Sequence, residues 1–114
     1  MRARAEARDL GLEGVRLALI EHDRDLSEVW VMLLQWLGAE VVPLEQAQVL
    51  VCDETAVEQG VLAQANRAGI PVVLLSGGLE RGTWLRSSRL VVLEKPVAPS
   101  ALVREIERLA HRPG

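Results

Sequence analysis

VRLALIEHDRDLSEVWVMLLQWLG, residues 15–38, changes its hydrophobic period once, and that change decides the fold. Val15–Ile20 is a nearly continuous apolar run of strand length, the pattern of a strand buried on both faces of a parallel sheet. From Leu26 the period lengthens. Leu26, Val29, Trp30, Leu33, Leu34 and Leu37 stand at i, i+3, i+4, i+7, i+8 and i+11, one stripe of an amphipathic helix. Asp23 or Asp25 can cap its start, and Gly38 stops it. Trp30 is expected in the core and Trp36, on another side of the helix, more peripheral.

Outward from this unit the same alternation continues. Ala39–Val42 is a short strand candidate ended by Pro43, and VLVC at 49–52 is the next. Only LEQAQ at 44–48 separates them, whereas a parallel crossover normally needs a dozen or more residues, usually a helix. This connection is therefore an extended loop, or the second strand is vestigial. Residues 55–68 carry Val57, Val61, Leu62 and Ala65 at helical spacing, ending near Gly69. IPVVLLS at 70–76 is a strand followed by a Gly77-Gly78 break, and a short, poorly patterned segment surrounds Trp84. LVVL at 90–93 is the last strand. Pro99 opens a final helix with Leu102, Val103, Ile106 and Leu109 inward. Strands alternating with helices in this order make an α/β domain with a parallel sheet.

Composition removes several function classes. The chain has 114 residues, enough for one core, and 49% of them are hydrophobic. A net charge of −3 leaves no basic footprint for nucleic acid, and three Trp with no Phe or Tyr make base-stacking platforms improbable. A single cysteine, Cys52, excludes an internal disulfide framework and sits in an apolar run, where it reads as a small buried hydrophobe. No apolar run approaches the ~20 residues of a membrane span, and MRARAEARDLG lacks the apolar core of a signal peptide. A cytoplasmic protein without membrane contact is expected. Residues 1–14 read as a linker or N-terminal extension, and 15–112 as the domain.

The polar residues of interest follow apolar strand runs: Glu21-His22-Asp23, Asp53, Ser76 and Lys95, the only lysine against twelve arginines. In open α/β sheets the carboxyl ends of the strands share one edge, where ligands bind. Clustered carboxylates there attract a hard divalent cation. A lysine can serve as a point charge on a phosphoryl oxygen, and a serine hydroxyl can donate to another. An aspartate in that setting can itself accept a phosphoryl group.

With LEGVRLALIEHDRDLSEVWVMLLQWLGAEVV, AQVLVCDE, AGIPVVLLSG and LEKPVAPSALVREIERL in this order, the chain resembles the receiver domain of two-component response regulators and hybrid histidine kinases over about residues 12–110. The resemblance implies a flavodoxin-like (βα)5 fold, with a five-stranded parallel sheet of order 2-1-3-4-5, a loop in place of the second crossover helix, and a short fourth helix. It implies a phosphorelay module, not an enzyme. Asp53 would be phosphorylated by a histidine kinase or a histidine phosphotransfer domain, with Mg²⁺ as cofactor. Glu21, Asp53 and the backbone of Thr55 would hold the metal, with His22 or Asp23 as a further candidate. Ser76 would be the switch hydroxyl, Lys95 would contact the phosphoryl group, and the Lys95–Pro96 bond would be cis. A homodimer is a further expectation of the family.

Two departures stand out. His22 occupies the position of the second acid, and neutral imidazole is a poor ligand for Mg²⁺; its plainer reading is a partly exposed polar turn residue. Val92 occupies a position that is often aromatic in the family. The alternative reading is therefore a pseudo-receiver that works by protein interaction without phosphorylation. A small α/β enzyme is the third reading, and it lacks support because no GxxxxGK[ST] loop occurs.

Overall fold

The computed structural model describes residues 11–77 and 89–110. The elements in chain order are β1 (Arg16–Ile20), α1 (Arg24–Trp36), β2 (Glu40–Val41), β3 (Val49–Asp53), α2 (Thr55–Glu58), α3 (Val61–Arg67), β4 (Val72–Ser76), β5 (Leu90–Glu94) and α4 (Pro99–Ala110). The strands form one parallel sheet of order β2-β1-β3-β4-β5, the flavodoxin-like arrangement expected. The short fourth helix expected around Trp84 falls outside the described residues.

Strand alternation sorts the core into two layers, because successive side chains in a strand point to opposite faces. Val49, Val51, Val73 and Leu75 pack on one face with Trp30 and Leu34 of α1 and Leu102, Ile106 and Leu109 of α4. Leu50, Cys52, Val72 and Leu74 pack on the other with Ala56 of α2 and Ala65 of α3. Every residue of β3 and β4 is buried, as their continuous apolar runs require.

The loop expected between β2 and β3 is present, and residues 44–46 make one 3₁₀ turn in it after Pro43. Gln48 ties the loop to β1: its N–H donates to the Arg16 carbonyl, and its side-chain oxygen accepts from the Arg16 N–H, both at 2.8 Å. No helix is needed because β2 is only two residues long. Its last residue, Val41, and the first of β3, Val49, are both level with Leu17 of β1, so the chain has almost no strand length to run back along.

Three details differ from expectation. Val29 is 57% exposed, so it lies outside the buried stripe, which centres on Trp30, Leu34 and the partly buried Leu26, Leu33 and Leu37. With Met32 and Trp36 it forms an exposed apolar flank on α1. The helix expected over 55–68 is two helices, because Gly60 takes a left-handed conformation (φ 75°) that interrupts the ladder. The packed unit also begins before residue 15: Leu12 is fully buried, and its N–H donates to the Leu37 carbonyl at the end of α1 (2.8 Å).

Gly38 terminates α1 in a Schellman arrangement. Its N–H donates to Gln35 O and that of Ala39 to Leu34 O. Its φ is +102°, and an added Cβ would lie 3.0 Å from the Glu13 Cα. Gly38→Ala therefore combines a disfavoured backbone conformation with a backbone clash. It should lower stability by about 1–3 kcal/mol in urea unfolding. Unchanged stability would contradict this account of the turn.

Candidate functional site

Parallel pairing brings the strand ends to one edge. Ile20 of β1 is level with Cys52, Asp53 with Leu75, and Ser76 with Glu94. The chain leaves β1 for β2 on one side and returns to β3 on the other, so the edge between β1 and β3 is a topological switch point, where ligands bind in open α/β sheets. Glu21, His22 and Asp53 meet there, each offering a ligand atom within 4.8 Å of the others.

Asp53 is fully buried at the end of β3, and both of its oxygens are engaged. Oδ2 accepts the His22 backbone N–H at 2.9 Å and is in contact with the His22 ring at Nδ1. Oδ1 accepts the Thr55 N–H at 3.1 Å and the Thr55 hydroxyl. Burial raises the Asp53 pKa, but the His22 N–H, the Thr55 hydroxyl and the His22 ring outweigh it and hold the carboxyl well below its usual range. The same hydrogen bond, followed by the charge of Asp53, raises the His22 imidazole above its ordinary value.

Lys95 does not share a contact with Asp53 among the described ion pairs. Its ammonium stands 3.3 Å from Glu21 Oε1. The Glu21 side chain is fully buried, and among the described residues Oε1 has no hydrogen-bond partner beyond this ion pair. Oε2 lies 3.4 Å from His22 Nδ1 and accepts the Asp23 N–H at 3.2 Å. The edge therefore holds two carboxylates interleaved with two basic groups.

Ser76 is buried at the end of β4, and its carbonyl accepts the Lys95 N–H at 2.7 Å. The Lys95–Pro96 peptide is cis. Asp23 is not part of this convergence: it caps α1, with Oδ1 accepting the Leu26 N–H at 3.0 Å. Cys52 is buried beneath the site, and burial pushes its thiol up to about 12, so it is protonated and inert at neutral pH.

Two participants were not anticipated. Glu54 reaches across to accept the Gly77 N–H at 2.6 Å, tying the end of β3 to the residue after β4. No sequence pattern announces a contact across 23 residues. The Thr55 side chain was anticipated only as backbone. The Asp-x-Thr spacing, which lets a carboxylate accept from two residues onward, is the available signal.

The His22 and Asp53 shifts set the pH dependence of stability. A raised His22 pKa contributes stability fully present below the unfolded value of 6.5 and lost as pH rises through the higher folded value. A depressed Asp53 pKa contributes stability present above 3.8 and lost as pH falls through the lower folded value. Thermal unfolding should thus show a stability plateau between these limits. His22→Gln should flatten the alkaline limb and, because the ring also helps depress Asp53, weaken the acid limb to a lesser degree; an unchanged alkaline limb would contradict the His22–Asp53 pairing.

Mg²⁺, the cation the resemblance implies, takes near-ideal octahedral oxygen coordination. Two of the three converging donors are carboxylate oxygens, to which waters could add, and the third is the ring nitrogen of His22, a poor Mg²⁺ ligand. The residues present can hold a metal ion, and the nitrogen makes the set a better match for an ion softer than Mg²⁺.

The fold is that of receiver domains. A response regulator receiver domain protein from Bacillus halodurans C-125 superposes with a TM-score of 0.67 at 22% identity, covering 88% of this chain and 98% of that one. The signal receiver domain of a modulated diguanylate cyclase from Desulfovibrio desulfuricans G20 gives 0.62 at 21% identity, covering 85% and 94%. At this identity the likeness establishes the fold. No protein-family model and no curated protein sequence matches the chain. No helix among the described residues is long and apolar enough to cross a membrane.

Proposed function

We propose that this domain is a phosphorelay receiver in which Asp53 accepts a phosphoryl group from a histidine kinase or a histidine phosphotransfer domain. The observation that carries the reading is the position of Asp53. It is a buried aspartate held ionised at the end of the central strand, at the β1–β3 switch point, with a lysine–glutamate pair beside it. A carboxylate oxygen of Asp53 bonds to phosphorus as the P–N bond of a phosphohistidine breaks, and the electron pair leaves with the imidazole. The Thr55 hydroxyl, now on Oδ1, and the Lys95 ammonium supply a donor and a positive charge for the phosphoryl oxygens, with Ser76 as a further hydroxyl. No step is assigned to Mg²⁺.

The module is a phosphoacceptor rather than an enzyme with turnover on a separate substrate. Its partners are proteins of the cytoplasm, and the exposed flank of Val29, Met32 and Trp36 is apolar surface of the kind a protein partner covers. A second copy of the chain is the other candidate for that flank. Incubation with acetyl phosphate, read by intact mass, tests the proposal. A species heavier by one phosphoryl group is expected, and none at any donor concentration would overturn it.

One observation favours a second reading. His22 and Thr55 between them occupy both oxygens of Asp53, which is the condition of an aspartate serving structure. A pseudo-receiver of this kind would take up no phosphoryl group and would bind its partner equally well as Asp53→Asn.

A further inference from the structure

Mg²⁺ gains little from a nitrogen donor, whereas imidazole suits the first-row transition ions. At the β1–β3 edge a nitrogen donor is built in. The His22 backbone N–H is fixed on Asp53 Oδ2 at 2.9 Å, and the ring presents Nδ1 toward both Asp53 and Glu21 Oε2, the latter at 3.4 Å. The Glu21 side chain is fully buried, so its carboxylate is held at the site rather than dispersed in solvent. One nitrogen and two carboxylate oxygens, mutually within 4.8 Å, can be bridged by a single ion without rearranging the strands.

We infer that Glu21, His22 and Asp53 form a site for a divalent transition ion of the Co²⁺ or Ni²⁺ class, in place of Mg²⁺. The Lys95 ammonium beside Glu21 Oε1 opposes every cation alike and does not discriminate between them. Discrimination comes from Nδ1, since affinity at mixed nitrogen and oxygen sites rises from Mn²⁺ through Co²⁺ to Ni²⁺. Metal binding displaces the ring from its contact with Asp53 and requires the neutral imidazole.

The test uses untagged protein of full length carrying His111→Gln, which removes the only other histidine. Co²⁺ and Mg²⁺ are titrated separately by calorimetry, with the visible spectrum of bound Co²⁺ as a direct readout of its ligands. Co²⁺ should bind at least about tenfold more tightly than Mg²⁺. His22→Asp should weaken Co²⁺ by about tenfold, strengthen Mg²⁺ and alter the Co²⁺ spectrum. His22→Gln, which introduces no charge, should weaken Co²⁺ without strengthening Mg²⁺ and carries the test should His22→Asp fail to fold. Equal Co²⁺ affinity and an unchanged spectrum in wild type and His22→Gln would overturn the inference. So would tighter binding of Mg²⁺ than Co²⁺ by the wild type. Neither outcome involves a phosphoryl donor, so failure here is distinct from failure of Asp53 as acceptor.

Discussion

Asp53→Asn is expected to abolish phosphoryl incorporation from acetyl phosphate, whereas Asp23→Asn should retain it. The contrast follows from placement. Asp53 is the buried carboxylate at the end of β3, whereas Asp23 caps α1 with Oδ1 on the Leu26 N–H. Asparagine caps a helix about as well as aspartate, so Asp23→Asn should fold normally. At residue 53 the amide is a far weaker nucleophile and offers one acceptor oxygen where the carboxylate offers two. Some stability is lost as well, because His22 and Thr55 donate to separate oxygens and an amide can satisfy only one side. Circular dichroism separates the two effects: a folded Asp53→Asn that takes up no phosphoryl group is the expected result. Uptake by Asp53→Asn equal to wild type would mean that another residue is modified.

Lys95→Met should have the second large effect, on stability. The Glu21 side chain is fully buried, and Lys95, whose side chain is 22% exposed, is the one basic group at its Oε1 among the described residues. Methionine keeps the apolar stem but removes the ammonium. The buried carboxylate then keeps the His22 ring and the Asp23 N–H at Oε2 but loses its charge partner at Oε1. Breaking such a pair from one side should cost about 2–4 kcal/mol, below the upper range for fully buried pairs because the ammonium is partly solvated. Adding Glu21→Gln should recover most of the loss, since replacing both partners removes the stranded charge. Urea unfolding of the two single variants and the double variant measures the coupling. Additive losses would show that the pair is not energetically linked.

Much of this fold was legible because it rests on local periods. The switch from a continuous apolar run to a 3.6-residue period located β1 and α1, and unbroken apolar runs located β3 and β4. The loop in place of a crossover helix followed from chain length alone. Boundaries set by single residues were less visible. Gly60 interrupts an otherwise acceptable helical pattern, Val29 lies at the margin of its stripe, and Leu12 is a lone apolar residue among charges.

The site shows the same division. Its members could be placed on one edge because each follows a strand, but their pairing could not be read. The His22–Asp53 contact spans 31 residues, and no period or spacing encodes which oxygen meets which nitrogen. Lys95 is found on Glu21, and His22, the residue that departs from the family pattern, is found on Asp53. A departure in sequence thus has a structural consequence at the atom on which the proposed chemistry depends.

The central claim is that Asp53 is the phosphoryl acceptor, and locating the modified residue tests it most directly. Protein treated with acetyl phosphate is reduced with borohydride, which converts an aspartyl phosphate to homoserine, and is then digested and sequenced by mass spectrometry. Homoserine at residue 53 alone is the predicted result. Homoserine elsewhere, or none in protein that remains folded, would contradict it.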